Sequence, residues 1–337
     1  MRLGIRYCSV ALGLAALMAV LLAGPLRAGD APRYNVSLEA QPRSAEVDAG
    51  MLMLVDLKLT NIGQHKIVFD YSRPVERLPI MREGLRFDLI RDGQIVPPYR
   101  PRDRRMSAGG GLGYIQALDP GQSVTAIGCV NWDCALDTAG EYIATATMTL
   151  GVNFTVESDP FAFTVTSVAE NVRTAKIREA EAILLKKVTF GPQAVEALLV
   201  LAFCGTPESV AKLTSIMISH PRFVTHSNVS RAALRVALDR LQDSKQALAN
   251  AHALLKAADP NLKREGVDVI YTRGTPDDAG ALVALLDDAD YMVRWDACGA
   301  LKKVADSPVE PKSEGAERLA DVVKQAKTWW ANRTPEK

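Results

Sequence analysis

A repeated pattern near the C-terminal end constrains the fold of this chain more than any other feature. The segment Leu285–Leu301 has the apolar spacing of two helices joined by a short acidic turn. A related pattern lies 31 residues upstream, where Leu254-Leu255 corresponds to Leu285-Leu286 and Ala258-Asp259 corresponds to Ala289-Asp290. A helical hairpin that recurs at a fixed spacing is typical of a solenoid, because each hairpin buries its apolar face only against its neighbours.

A second repeated motif supports the same interpretation. Gly205-Thr206-Pro207 recurs 69 residues later as Gly274-Thr275-Pro276, and acidic residues follow both copies. Glycine suits the end of one helix, threonine the N-cap of the next, and proline its first position. The two independent repeats predict three to four helical hairpins over residues 169–333.

One of these helices carries a family resemblance. Val293-Arg294-Trp295-Asp296-Ala297-Cys298-Gly299-Ala300-Leu301 is similar to the second helix of HEAT repeats, which opens with Val-Arg-x-x-Ala-x-x-Ala-Leu. The resemblance implies an α-solenoid whose second helices line an inner face and whose repeated acidic and basic residues link neighbouring repeats. We therefore interpret four residues as structural links: Arg294, Lys263, Asp290 and Asp259.

The N-terminal 28 residues have the layout of a secretory signal peptide. Arg2 and Arg6 precede an apolar run over Val10–Ala23, and Leu26-Arg27-Ala28 follows as a cleavage site. We expect cleavage after Ala28 and export to the periplasm or the extracellular medium; an uncleaved anchor is the alternative. Loss of three arginines with the signal leaves 37 basic and 39 acidic side chains, a net charge of −2. That balance argues against binding to nucleic acid or to an anionic membrane surface. No other apolar run is long enough to span a bilayer, so we expect no membrane insertion after cleavage.

Residues 29–168 alternate apolar and polar side chains, the pattern of β-strands. Met53, Val55 and Leu57 share one parity, whereas Asp56 and Lys58 share the other. About seven such strands, separated by turn signals, predict an antiparallel β-sandwich. Four motifs mark its turns: Leu59-Thr60-Asn61, Asp92-Gly93, Pro120-Gly121 and Ala139-Gly140-Glu141-Tyr142. Together they resemble the immunoglobulin-like domains of exported bacterial proteins, some of which look like a bacterial proteinase inhibitor.

Four cysteines remain after the signal peptide. Cys129 and Cys134 lie in one short segment, and in an oxidising compartment we expect a local disulfide between them, with two thiols as the alternative. Their spacing, without a second pair or a flanking histidine, makes a poor zinc site. Cys204 and Cys298 fall at apolar helix positions and are expected to be buried.

A loop rich in proline and glycine interrupts the strands. It carries four arginines that form a candidate binding site for an acidic partner; a solvated loop without a binding role is the alternative. Those arginines are Arg100, Arg102, Arg104 and Arg105. On the inner face of the solenoid, candidate contacts for a protein partner are Lys263, Arg264 and Trp295, with Ser230 and Arg231 beside them.

The chain contains no recognisable catalytic motif. Nucleophile elbows, zinc-binding His-Glu-x-x-His pairs and phosphate-binding loops are all missing from the sequence. We therefore expect a non-enzymatic interaction or scaffold protein without cofactor or metal, which binds a protein of unknown identity. A protease inhibitor acting through the sandwich and a HEAT-like lyase are the alternatives.

Overall fold

The computed structural model describes most of the chain after the predicted signal peptide. The signal segment and the loop with Arg100–Arg105 lie outside the described residues. None of the described helices is long and apolar enough to cross a membrane. The described ranges are 35–71, 80–81, 84–98, 114–150, 154–186, 191–220, 223, 228–309 and 316–333.

Strands occupy the first half of these residues, and the predicted alternation of side chains is visible in them. Leu57 and Leu59 are buried in β3, whereas the alternating residues Asp56 and Lys58 are exposed. The described strands are β1 (Val36–Pro42), β2 (Glu46–Asp48), β3 (Leu54–Asn61), β4 (Ile67–Tyr71), β5 (Ile80–Met81), β6 (Leu85–Arg91), β7 (Gln94–Ile95), β8 (Tyr114–Leu118), β9 (Ser123–Cys129), β10 (Gly140–Thr149), β11 (Thr155–Glu157) and β12 (Phe161–Thr166).

The strands form two larger sheets that enclose one hydrophobic core. One sheet has the order β1-β3-β9-β5, the other runs β2-β12-β10-β6-β7 with β11 beside β10, and β4 pairs with β8 separately. The sheets are mixed, which corrects the expectation of a wholly antiparallel sandwich. β2 runs parallel to β12 and β5 runs parallel to β9, because these partners are distant in the chain and are not joined by hairpins.

Helices fill the second half, so the described chain is β plus α. Their bounds are α1 (Glu170–Leu185), α2 (Pro192–Cys204), α3 (Pro207–Ser219), α4 (Asn228–Arg240), α5 (Ser244–Leu255), α6 (Pro260–Arg273), α7 (Ala279–Ala284), α8 (Tyr291–Ala305) and α9 (Ala316–Ala331). Short 3₁₀ turns flank α7 at Pro276–Asp278 and Leu285–Asp287. Most successive helices contact each other, and α2 also contacts α4, as α6 contacts α8.

The helix starts carry the polar caps that the sequence motifs indicate. The Thr206 hydroxyl accepts a hydrogen bond from the Ser209 N–H at 3.2 Å, and the Asp290 carboxylate accepts one from the Val293 N–H at 3.0 Å. At Thr275, the Asp278 carboxylate accepts from the Thr275 N–H at 2.8 Å. These bonds satisfy N–H groups that have no partner within the helix.

The two Gly-Thr-Pro motifs end their helices differently. Gly205 has a φ of +62°, the left-handed conformation expected after a helix. Gly274 is extended instead, with a φ of −70°. Glycine is still required there, because a Cβ atom would lie 2.5 Å from the Ile270 carbonyl oxygen.

Glycine also sets the distance between α5 and α6. A Cβ atom on Gly266 would lie 2.8 Å from the Ala251 carbonyl oxygen and 2.9 Å from Leu255 Cδ2. Gly299 in α8 is also a mid-helix glycine, but no atom lies within 4 Å of the position its Cβ would take. The two residues therefore form a natural pair for testing helix packing.

We expect Gly266→Ala to lower the free energy of unfolding by about 1–3 kcal/mol, the usual penalty of overpacking. Gly299→Ala should raise it by about 0.5–1 kcal/mol, because alanine favours helix and has room here. Urea unfolding followed by circular dichroism measures both changes. Equal effects at the two positions would contradict the close approach of α5 and α6.

Candidate functional site

The side chain of Asn131 connects the loop after β9 to the entry of β3. It is fully buried in the 3₁₀ turn Val130–Trp132. Its Oδ1 accepts a hydrogen bond from the Met53 N–H at 2.7 Å, and its Nδ2 donates to the Met51 carbonyl oxygen at 2.9 Å. The Val130 N–H donates to the Met53 carbonyl oxygen at 3.1 Å and closes the same junction. These bonds fix two distant segments of the sandwich side by side.

The fixed segments form a platform for the helices. Trp132 packs edge-on against Phe203 of α2, with ring centroids 5.1 Å apart. Met51, Leu54 and Cys129 belong to the same buried cluster as the helical side chains. Strands and helices thus share a hydrophobic core, which we call the joint.

Ion pairs surround this joint. Lys176 of α1 donates to the Asp48 carboxylate at the end of β2, and the nearly buried Arg240 of α4 pairs with Asp137. Arg43 contacts a carboxylate on each side, Asp56 of β3 at 2.9 Å and Glu196 of α2 at 3.2 Å. Exposed pairs of this kind contribute little energy singly, but they restrict the orientation of the helices on the sandwich.

The Asp48 carboxylate is the titratable group most closely tied to the joint. The hydrogen bond from Lys176 holds the pKa of Asp48 below its usual value of 3.8, although partial burial opposes the shift. The Thr166 hydroxyl adds a hydrogen bond to Asp48 at 3.1 Å. The ionised form is therefore favoured in the folded chain.

The two cysteines for which a disulfide is expected are free thiols in the structure, the alternative that the sequence leaves open. Cys129 and Cys134, both within the described residues, are not bonded to each other. The Cys129 side chain lies in the joint, whereas Cys134 lies in the core between the sheets. The turn between them directs the two thiols into different clusters. Burial raises the pKa of Cys129, and it raises that of Cys298 in α8 to about 11.

The predicted partner-binding residues of the helical half take part in contacts between helices. Arg264 of α6 bonds to the buried Asp296 of α8 at 2.8 Å, and Lys263 bonds to Asp288 at 2.5 Å. Trp295 is half-buried against the helical core. The structure therefore gives these three side chains internal partners, whereas the four loop arginines lie outside the described residues.

Cation–carboxylate pairs link neighbouring hairpins, through Lys263 as predicted and also through residues that were not predicted. Arg235 of α4 forms a two-pronged pair with Glu265 of α6, at 2.6 and 2.9 Å. Burial raises the pKa of Glu265, and the Arg235 charge opposes that rise only in part. The carboxylates of Asp259 and Asp290 cap their own helices instead of linking repeats.

The other three residues named from the sequence also have local roles. The Arg294 guanidinium donates to the Asp288 carbonyl oxygen at 2.6 Å, within the turn that precedes its own helix. Arg231 bonds to Asn261 at 3.0 Å, and Ser230 is fully buried. None of these positions forms an exposed cationic patch with the others.

An open cleft of about 930 Å³ lies beside the joint, between β2 and the helices α1 and α2. Its volume falls within the range of roughly 300–1,000 Å³ that is usual for ligand sites, and such sites favour domain interfaces. We call the apolar side chains that line it the floor and its charged and polar lining side chains the rim. The floor side chains are Val47, Met51, Leu52, Leu54, Ala180, Ile183, Ala197 and Val200.

The rim of the cleft is acidic. It carries four carboxylates and one ammonium group, that of Lys176. Asp48 is paired with Lys176 and Glu196 with Arg43. Within the described part of the chain, Glu46 of β2 and Glu179 of α1 form no ion pair, and both are exposed. The cleft therefore offers an apolar surface between two uncompensated negative charges.

Groupings of the kind used in metal binding do not occur among the described residues. No three His, Cys, Asp or Glu side chains there lie close enough to hold a metal ion. His252 bonds through Nε2 to the Asp278 carboxylate at 2.7 Å, which ties α5 to the turn before α7. Asp278 also caps that turn, so the pair has a structural role.

The cleft and the joint were both missed by the sequence analysis. The sequence feature that could have indicated the joint is the segment Cys129-Val130-Asn131-Trp132-Asp133-Cys134. In it, tryptophan and polar residues follow a strand without the period of a helix. The Asp133 carboxylate accepts a hydrogen bond from the Phe87 N–H at 2.9 Å, so even the second polar residue is structural.

Comparisons with known proteins leave the family open. No model of a known protein family and no curated protein matches the sequence. The structure is similar to the sporulation control protein Spo0M of Bacillus subtilis, with 10% identity and a TM-score of 0.24 over 44% of this chain and 56% of that one. The chain thus spans little more than half the length of that protein.

Two further solved structures are similar at the same low level. A CARDB domain from Pyrococcus furiosus shows 14% identity and a TM-score of 0.20 over 40% of this chain and 96% of that domain. The α2-macroglobulin of E. coli shows 10% identity and a TM-score of 0.22 over 87% of this chain and 22% of that one. TM-scores this low carry no argument about activity or partners.

We expect Asn131→Leu to destabilise the chain by roughly 2–6 kcal/mol, since each of the two buried backbone groups left unpaired costs about 1–3 kcal/mol. Asn250→Leu is the control, because the Asn250 amide donates only to the Gln246 carbonyl oxygen within its own helix. That change should stay within about 1 kcal/mol. Urea unfolding followed by tryptophan fluorescence measures both, and similar losses would contradict a special role for Asn131.

Asp48→Asn should lower stability at neutral pH and have no effect in strong acid. The lowered pKa of Asp48 means that its ionised form stabilises the folded chain above the unfolded value of 3.8. This stabilisation is lost as the pH falls through the folded pKa. Thermal midpoints of both proteins across that pH range test the prediction, with the exposed Asp159→Asn as control. A midpoint difference that persists in strong acid would contradict it.

Proposed function

We propose that this chain is an exported, non-enzymatic binding protein whose partner is a protein bound in the cleft beside the joint. In this proposal an immunoglobulin-like sandwich and a HEAT-like stack of hairpins act as one rigid unit. The observation that carries it is the cleft itself, which has an apolar floor, an acidic rim and walls from both halves. The division into domains at residues 168 and 169 stays a prediction.

Contacts between helices support the HEAT-like part of the proposal. Contacts between α2 and α4, and between α6 and α8, suit a stack of hairpins in which second helices are neighbours. The Arg264–Asp296 and Arg235–Glu265 pairs suit the links between repeats that the resemblance implies.

The same pairs favour the cleft over the helical face as the binding site. Arg264 is paired with the buried Asp296 and Lys263 with the half-buried Asp288, so a partner would have to break these contacts to use them. Removing one member of a buried ion pair commonly costs about 3–5 kcal/mol. Glu46 and Glu179 carry no such penalty, because both are exposed and form no ion pair with a described residue. No described feature favours the protease inhibitor or the lyase.

Site-specific photocrosslinking tests the proposal. A benzophenone amino acid is placed at Ser44 or Gln193 on the cleft rim, or at the exposed Ile95 of β7 as the matched control. The labelled chain is irradiated in the native envelope fraction. We expect one protein to crosslink from both rim positions and not from Ile95.

A change in the floor completes the test. Leu52→Asn makes the half-buried floor polar and should abolish the crosslink while the circular dichroism spectrum is kept. Absence of any crosslink from the rim, or the same crosslink from Ile95, would contradict the proposal.

A further inference from the structure

Two carboxylates of the cleft lining form no ion pair with a described residue, and they belong to different elements. Glu46 belongs to β2 of the sandwich and Glu179 to helix α1. Two like charges on one open cleft add to a negative local potential, which attracts cations and is screened by salt. The cleft therefore favours the binding of a positively charged group.

The ammonium group already in the cleft does not remove this preference. Lys176 lies one helical turn before Glu179, but it donates to Asp48 at the base of the joint. The Thr166 hydroxyl orients the same carboxylate. Lys176 is thus paired with Asp48 and does not neutralise the charge of Glu179.

The apolar floor defines the rest of the ligand. Leu52, Ile183 and Val200 are half-buried, so each offers aliphatic surface that remains in contact with water. A lysine or arginine side chain matches this arrangement, because its alkyl stem covers apolar surface while its charged end stays at the rim. An aliphatic side chain next to it in the ligand would cover the apolar surface of the floor that the alkyl stem leaves exposed.

The open rim favours a chain segment over an enclosed small molecule. Ser44, Glu46, Glu179 and Gln193 are all exposed at the edge of the cleft. A small ligand usually buries roughly 70–90% or more of its surface in its pocket, which requires a more enclosed site than this open cleft. As a deepening of the proposed function, we infer that the cleft binds an extended segment of its partner in which a lysine or arginine lies next to an aliphatic residue.

Labelled peptides of matched length test the charge preference. Three fluorescent heptapeptides, Gly-Leu-Lys-Leu-Lys-Leu-Gly and its glutamine and glutamate counterparts, are titrated with the full chain and followed by anisotropy. We expect the lysine peptide to bind about 3- to 10-fold more tightly than the glutamine peptide, as two partly exposed ion pairs allow. The glutamate peptide should bind most weakly, and added salt should reduce the differences.

Paired variants locate the effect. Glu46→Gln with Glu179→Gln should remove the lysine preference. Glu157→Gln with Asp277→Asn changes the net charge equally at exposed positions outside the cleft and should leave the preference intact. Equal binding of the three peptides, a preference that survives the cleft variant, or equal loss in the control would each overturn the inference.

The two tests fail separately. A partner that crosslinks from the rim, combined with no lysine preference, overturns the inference and leaves the proposed function standing. A lysine preference without any crosslink from the rim overturns the proposed function and leaves the chemistry of the cleft established.

Discussion

The hydrogen bonds of one buried amide hold this architecture together. Asn131 satisfies a donor and an acceptor on the strand entry at Met51 and Met53, which otherwise would be buried without partners. Because an amide offers both functions at fixed geometry, the turn and the strand entry are fixed relative to each other. The same turn places Trp132 edge-on against Phe203 of the helical half. The Asn131 hydrogen bonds and the ion pairs around the joint therefore act together on the orientation of the helices.

The cleft depends on the same network. Its floor uses Met51 and Leu54 from the strand entry, and its opposite wall comes from α1 and α2. Asp48 and Arg43 bridge the two walls through Lys176 and Glu196. A site built in this way keeps its width without a hinge, which favours selection by shape and charge over closure around a ligand.

Local signals in the sequence predicted local structure well. Alternation gave the buried faces of β3 and β6, and Thr206 and Asp290 mark helix starts because capping acts over a few residues. Signals that depend on distant partners failed. Nothing near Cys129 and Cys134 shows that they enter different cores, and nothing near Arg264 reveals Asp296, 32 residues away. The cleft could not be predicted from the sequence for the same reason, since its walls are far apart in the chain.

The joint has a consequence for how the chain is made. Synthesis runs from the N-terminus, so the strand entry and Trp132 emerge before α1 and α2, whose side chains bury them. During that interval the finished part of the sandwich exposes an apolar patch with no partner, which invites aggregation. Folding of both halves together, once α1 and α2 have been made, avoids this exposure. The shared core therefore ties the folding of the strand half to completion of the helices.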